Sequence, residues 1–134
     1  MTRGIRNNNP LNIRLTQTHW KGQRNEQTDP DFVQFRSMQW GIRAAFCLLR
    51  TYADKYALHS VAQIISRWAP PTENHTESYI SHVCQATGFS PHQPLERSQW
   101  PRLLQAMARI ETGETLPMQL FREAETLYQH SYHL

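Results

Sequence analysis

The sequence is short of cysteine, glycine and long apolar runs, and each shortage removes a class of function. There are two cysteines, Cys47 and Cys84, and no CxxC pair, so no zinc module is encoded. Both fall on apolar helical stripes and read as buried free thiols rather than as a disulfide. The five glycines are scattered, which leaves no loop to cradle a phosphate. No serine sits in a GxSxG elbow, and neither cysteine carries a nucleophile signature. No apolar run approaches the ~20 residues of a membrane span. The opening residues, MTRGIRNNNP, carry cations but no apolar stretch after them, so they do not read as a secretory signal. The chain is expected to be made in the cytoplasm and carried elsewhere by other means. No run of adjacent cations marks a nucleic-acid stripe.

What is present is one domain's worth of chain. The 134 residues, 39% hydrophobic and 19% charged, form a single unit, 1–134, able to bury a core without staples. The net charge is +3, and twelve of the fourteen cations are Arg. A mild positive field suits an anionic partner: nucleic acid, a membrane surface or a bacterial cell wall.

Residues 2–34 are rich in Asn, Thr, Gln, Arg and Pro, and read as loops and short strands. Asn12 to Leu15 alternates polar and apolar, as does Asp31 to Phe35 more loosely. A small N-terminal β-ribbon fits, with turns at Trp20-Lys21-Gly22 and Thr28-Asp29-Pro30. From Ser37 the period changes to three and four. Ile42, Ala45, Phe46, Leu49, Ala53 and Tyr56 mark a first amphipathic helix. A second runs from Ser60 to Trp68 and is stopped by Pro70-Pro71. A third runs from about Thr76 to Gly88, with Asn74 or Thr76 as cap. A fourth runs from Ser98 to Gly113, with Pro101 in its first turn. A fifth covers about Pro117 to His130. The fold class is mostly α, an α+β domain with a polar N-terminal lobe.

Glu111 is the most informative residue. Leu104, Met107, Ala108 and Glu111 are spaced at three, one and three, which puts this carboxylate on the apolar face in the last turn. Burial and the negative end of the helix dipole both disfavour its ionised form, as a glycosidase general acid requires. A glutamate at a frayed helix end pointing into water fits the same spacing. Tyr79 opens another apolar stripe and fits either core packing or a hydrogen bond to a buried carboxylate. Trp20 and Trp68 could stack on sugar rings, although the stripe of its helix favours a core position for Trp68. The histidines invite a metal, but His75, His82 and Cys84 lack ligand spacing. No metal or cofactor is expected.

Arg3-Gly-Ile-Arg-Asn-Asn-Asn-Pro-Leu-Asn-Ile-Arg14 resembles the opening of small phage-type lysins related to the lysin of enveloped double-stranded RNA phages. That family usually reads RNNNPGNIR, with Gly where Leu11 stands here. The likeness continues through Trp20-Lys-Gly22, Gln27-Thr-Asp-Pro30, Phe35-Arg-Ser-Met-Gln-Trp-Gly-Ile-Arg-Ala-Ala45 and Ile64-Ile-Ser-Arg-Trp-Ala-Pro-Pro-Thr-Glu-Asn74. It ends at Ile110-Glu-Thr-Gly113, where the family often has His-Glu-Asn-Gly. The order Asn8-Asn9 to Arg14, then Trp20-Lys21-Gly22, then Phe35-Arg36-Ser37 also resembles flagellar-type glucosaminidases. Their Glu-bearing helix comes first and here comes last, so the domain looks like a circular permutation of theirs.

The resemblance implies a lysozyme-like fold that cleaves the glycan strands of peptidoglycan, as a lytic transglycosylase. Glu111 would be the acid, with Tyr79 beside it and Asn8, Asn9, Asn12, Trp20 and Asn74 lining the cleft. Glu26 would be a second acid, with Asp29 and Asp31 as competitors. A glucosaminidase or muramidase hydrolase, a peptide-cross-link endopeptidase, and a non-catalytic virion or wall-binding module are the rivals. Action is expected in the periplasm or cell wall, as a phage lysin served by a holin or as an antibacterial effector delivered by a secretion apparatus. An immunity protein would be the effector's partner. Nucleic acid is not expected as a partner.

Overall fold

The computed structural model describes residues 1–72 and 75–134. Among the described residues six helices carry the fold: α1 (Arg3–Arg6), α2 (Met38–Tyr56), α3 (Val61–Trp68), α4 (Thr76–Thr87), α5 (Trp100–Thr112) and α6 (Met118–Ser131). A 3₁₀ turn, Arg97–Gln99, leads into α5. None of these helices is long and apolar enough to cross a membrane, among the described residues.

The helix ends follow local chemistry. Ser37 caps α2 by accepting from the Trp40 N–H, and Ser60 with Gln63 forms a capping box on α3. Helix α4 starts without a side-chain cap from His75. Its first residue, Thr76, instead donates to the Ala69 carbonyl, which ties the start of α4 to the end of α3. Helices α4 and α5 end at Gly88 and Gly113.

Helix α5 is the central element. It packs against α1, α2, α4 and α6, while α6 lies along α2 and α3 packs on α4. Leu103, Leu104, Met107 and Ala108 of α5 are fully buried, so its apolar surface is wider than one stripe. Phe46 of α2 stacks on Tyr128 of α6 with ring centres 5.5 Å apart. Cys47 is buried and Cys84 half-buried, and both thiols are free.

The N-terminal lobe differs from the expected β-ribbon. Among the described residues it holds two isolated antiparallel bridges, Arg14 with Phe32 and Gln23 with Phe35, and no sheet. It also contains α1, a single turn that the polar composition did not suggest. Backbone bonds at these bridges, such as Leu15 N–H to the Asp31 carbonyl and Arg24 N–H to the Gln34 carbonyl, are supplemented by side chains. Asn9 donates to the carbonyls of Ile13 and Val33 and accepts from the Ile13 N–H, each at 2.9 Å. Gln34 accepts from the Thr28 N–H and donates to Asn7. Leu11, Ile13, Val33 and Phe35 of this lobe are buried in the hydrophobic core, and Leu15 and Trp20 pack half-buried against it. With ordering of each residue costing about 1–2 kcal/mol, so few apolar side chains cannot hold the lobe alone.

The lobe is anchored to the helices by close approach. A Cβ on Gly41 of α2 would stand 2.0 Å from the Asn8 carbonyl oxygen. The backbone of the Asn-rich segment therefore lies directly on α2.

Asp29 is the lobe's other anchor. Its carboxylate accepts a two-pronged ion pair from Arg3 at 2.6 Å on each oxygen. It also accepts from Asn7 and from the backbone N–H groups of Asp31 and Phe32. Arg3 foremost, with Asn7 and the two amides, holds this carboxyl well below its ordinary value of 3.8, against the opposing effect of burial. A depressed carboxyl contributes stability that is present above the unfolded value and is lost as pH falls. The urea midpoint should therefore fall between about pH 4 and pH 2, and Asp29→Asn should flatten that fall while lowering the midpoint at about pH 7. Parallel pH curves for the two proteins would show that Asp29 does not anchor the lobe.

Candidate active site

Glu111 lies in the last turn of α5, half-buried, one residue before the buried Thr112. The fully buried Leu104, Met107 and Ala108 orient its face of the helix inward. Two residues remote in sequence meet its carboxylate. Asn12 Nδ2 donates to Oε1 at 2.8 Å, and the Tyr79 hydroxyl donates to Oε2 at 2.9 Å. The side chain is thus held at both oxygens, each of which can accept one further hydrogen bond.

Local backbone explains why these partners arrive. Asn12 sits in the left-handed region at φ 53°, which asparagine tolerates. Gly4 of α1 has no Cβ, and one placed there would stand 3.0 Å from both Asn12 Oδ1 and the Asn9 carbonyl. Tyr79 lies in the first turn of α4, buried, with its ring in the core. Burial first, and then the Glu111 carboxylate beside it, push the Tyr79 hydroxyl well above its ordinary value of 10.0. It stays an O–H group at any physiological pH, able to donate or, by rotation, to accept.

Glu111 opens on a cleft of about 370 Å³, a size ordinary for small-molecule sites. One side consists of Leu11 to Arg14, Thr16, Thr18, Trp20 and Phe32. The other consists of Leu48 and Tyr52 of α2 with Trp68, Ala69 and Pro70 at the end of α3. Four aromatic side chains, Trp20, Phe32, Tyr52 and Trp68, are half-buried around it. Trp68 meets Tyr52 edge-on with centres 6.0 Å apart.

Of the residues singled out from sequence, Glu111, Tyr79, Asn12 and Trp20 come together here. Asn8 and Asn9 do not line the cleft: Asn8 donates to the Phe35 carbonyl, and Asn9 is wholly buried in the backbone bonds described above. Glu26 is exposed and is not among the residues around Glu111. Asp29 is saturated by its five donors, and Asp31 pairs with Arg3 at 2.9 Å. Asn74 lies outside the described residues. Trp68, favoured as core, packs half-buried against the core and also lines the cleft. Sequence reasoning also missed Tyr52, Phe32 and Arg14. For Tyr52 there was a signal, since Leu48 and Tyr52 stand four apart beside the main stripe of α2. All seven histidines are exposed, and no three metal-binding side chains gather among the described residues.

No family model matches the chain. Protein P5 of Pseudoalteromonas phage PM2 is 45% identical over 114 residues, which is 83% of this chain and 71% of that protein. The chain belongs to the same family as this phage protein.

The Tyr79 geometry sets an alkaline limit on stability. A hydroxyl whose folded value is raised contributes stability that is present below the unfolded value and is lost as pH rises toward the folded one. The urea midpoint of the wild type should fall above about pH 10, and Tyr79→Phe should fall less steeply there. Tyr52 and Tyr132, also raised by burial, keep a share of the decline in both proteins. Superimposable slopes would contradict a buried Tyr79 hydroxyl held on Glu111.

Proposed function

We propose that this protein cleaves the glycan strands of bacterial peptidoglycan as a lytic transglycosylase, with Glu111 as its one catalytic carboxyl. The observation that carries this is that Glu111 is the sole carboxylate lining the aromatic cleft among the described residues, clamped at both oxygens by Asn12 and Tyr79. A hydrolase would need a second carboxylate ~5–9 Å from the first, and neither Glu26 nor Asp29 lines this cleft.

The chemistry follows from one fixed acid. The Glu111 carboxyl gives its proton to the glycosidic oxygen as the bond from C1 breaks, and the leaving sugar departs as an alcohol. The positive charge developing at C1 faces the carboxylate just formed. The primary hydroxyl of the same sugar then attacks C1, and Glu111 takes up the proton it releases. The product is a 1,6-anhydro ring, no water is consumed, and the acid is regenerated. Tyr79 suits both half-reactions, because its hydroxyl donates to the carboxylate and can turn when the oxygen beside it carries the proton. Asn12 can only donate at Nδ2, so it holds Oε1 in place and leaves Oε2 as the oxygen whose partner adapts. The aromatic rings supply apolar faces for the sugars.

Membership in a family with a phage protein supports the phage-lysin form of this reading, since a phage must cross its host's wall. The protein would then act in the periplasm or wall after release by a holin. The alternative delivery, as an effector met by an immunity protein, uses the same cleft. The excess of cations suits the anionic wall.

Glu111→Gln tests the assignment. The amide keeps the shape, accepts from Asn12 and can donate to Tyr79, so melting temperature should stay near that of the wild type. Loss of turbidity of purified peptidoglycan should slow about a hundredfold to ten-thousandfold, as expected when a general acid is removed. A folded variant within about threefold of wild type would show that Glu111 is not the acid.

A further inference from the structure

Two charged side chains line the cleft among the described residues, Glu111 and Arg14. Their situations differ. Glu111 accepts a hydrogen bond at each oxygen, whereas the exposed Arg14 guanidinium has no hydrogen bond and no ion pair among the described residues. It lies over the face of Phe32, whose centre is 5.3 Å away. The nearest acid along the paired segments does not neutralise it. Arg14 bridges to Phe32 and Leu15 bonds to the Asp31 carbonyl, yet the Asp31 carboxylate pairs with Arg3. Arg3 itself covers Phe32 at 4.6 Å and is fully neutralised by Asp29 and Asp31. Phe32 therefore carries two guanidinium groups, one paired within the protein and one presented to the cleft.

This arrangement is suited to capturing an anion. The backbone bridge fixes the start of the Arg14 side chain, and the aromatic face restrains the guanidinium without using its N–H donors. Those donors form a planar fork that matches a carboxylate, and little freedom is lost on engaging them. The thirteen other residues lining the cleft include no second cation that could take this part.

Resting on the glycan-cleaving reading of this cleft, we infer that Arg14 is a specificity-determining residue that binds a carboxylate carried by the glycan strand. Peptidoglycan offers that chemistry from two sources. One is the lactyl carboxylate of muramic residues whose peptides have been removed; the other is the carboxylates of the stem peptides themselves.

The experiment measures binding, so that it does not depend on turnover. Calorimetry is done in the Glu111→Gln background with two kinds of soluble strand, amidase-stripped and peptide-bearing. Each is used with its carboxylates free or capped as methylamides. We expect the parent to bind at least one free form about tenfold more tightly than its capped form, as a charge-assisted pair implies. Arg14→Gln added to that background should bind free and capped forms alike, at the capped level. Arg14→Lys should recover part of the preference, and Arg122→Gln, an exposed cation outside the cleft, should leave it unchanged. The strand that responds identifies the source of the carboxylate. Equal loss of affinity on capping in the parent and in Arg14→Gln would overturn the inference, as would a parent that binds neither strand. The catalytic reading fails separately, if the wild-type protein cuts no strand while the Arg14-dependent preference persists.

Discussion

Residues 7–37 lie in neither a helix nor a sheet, and the candidate site depends on how their backbone groups are bonded instead. Buried amide groups must find partners. Here some partners are backbone groups, as in Val33 N–H to the Ile13 carbonyl and Arg24 N–H to the Gln34 carbonyl, and the rest are side chains: Asn9 bonds Ile13 and Val33, Gln34 accepts from Thr28, and Asp29 gathers Arg3, Asn7 and two backbone amides. The net worth of one such bond is small, about 0.5–1.5 kcal/mol, but leaving its group buried and unpaired costs more. The lobe is therefore specified by a connected set of polar contacts rather than by its core. Its last contact, Asn12 to Glu111, spans 99 positions and makes the lobe part of the site.

The helical half is built on the opposite principle. Helix α5 is sunk among its neighbours, and its buried side chains fix the rotation that turns Glu111 toward the cleft. Tyr79 reaches the same carboxylate from α4, whose start is tied to the end of α3 by Thr76. The cleft thus joins a rigid packed side, carrying Glu111 and Tyr79, to a hydrogen-bonded side, carrying Asn12, Arg14 and Trp20. Glycine makes the junction possible where α2 meets the Asn8 carbonyl and where α1 meets Asn12.

Much of this was legible in the sequence, for reasons that particular residues make plain. Helices α2 to α6 follow from apolar spacing and from stops such as Gly88, Gly113 and Pro70. The inward turn of Glu111 follows from the three residues before it. The lobe was less legible, because alternation around Ile13 and Val33 reflects burial, which a loop stapled by Asn9 can achieve without a ladder. Asn8, Asn9 and Asn12 look equivalent in the sequence, yet their roles are set by which backbone group each faces. Turn chemistry explains the first two, and Asn12 alone reaches Glu111. The cleft face of Trp68 and the free guanidinium of Arg14 depend on which segments face them across space, which no local pattern encodes.

In the proposed reaction one fixed carboxyl, with no partner acid in the cleft among the described residues, cuts the strand by letting the sugar close on itself. Digestion of purified peptidoglycan in ¹⁸O-water, followed by mass spectrometry of the fragments, tests this directly. The expected products carry 1,6-anhydro ends that contain no ¹⁸O. Reducing ends labelled with ¹⁸O would contradict it and would require a second, water-activating group.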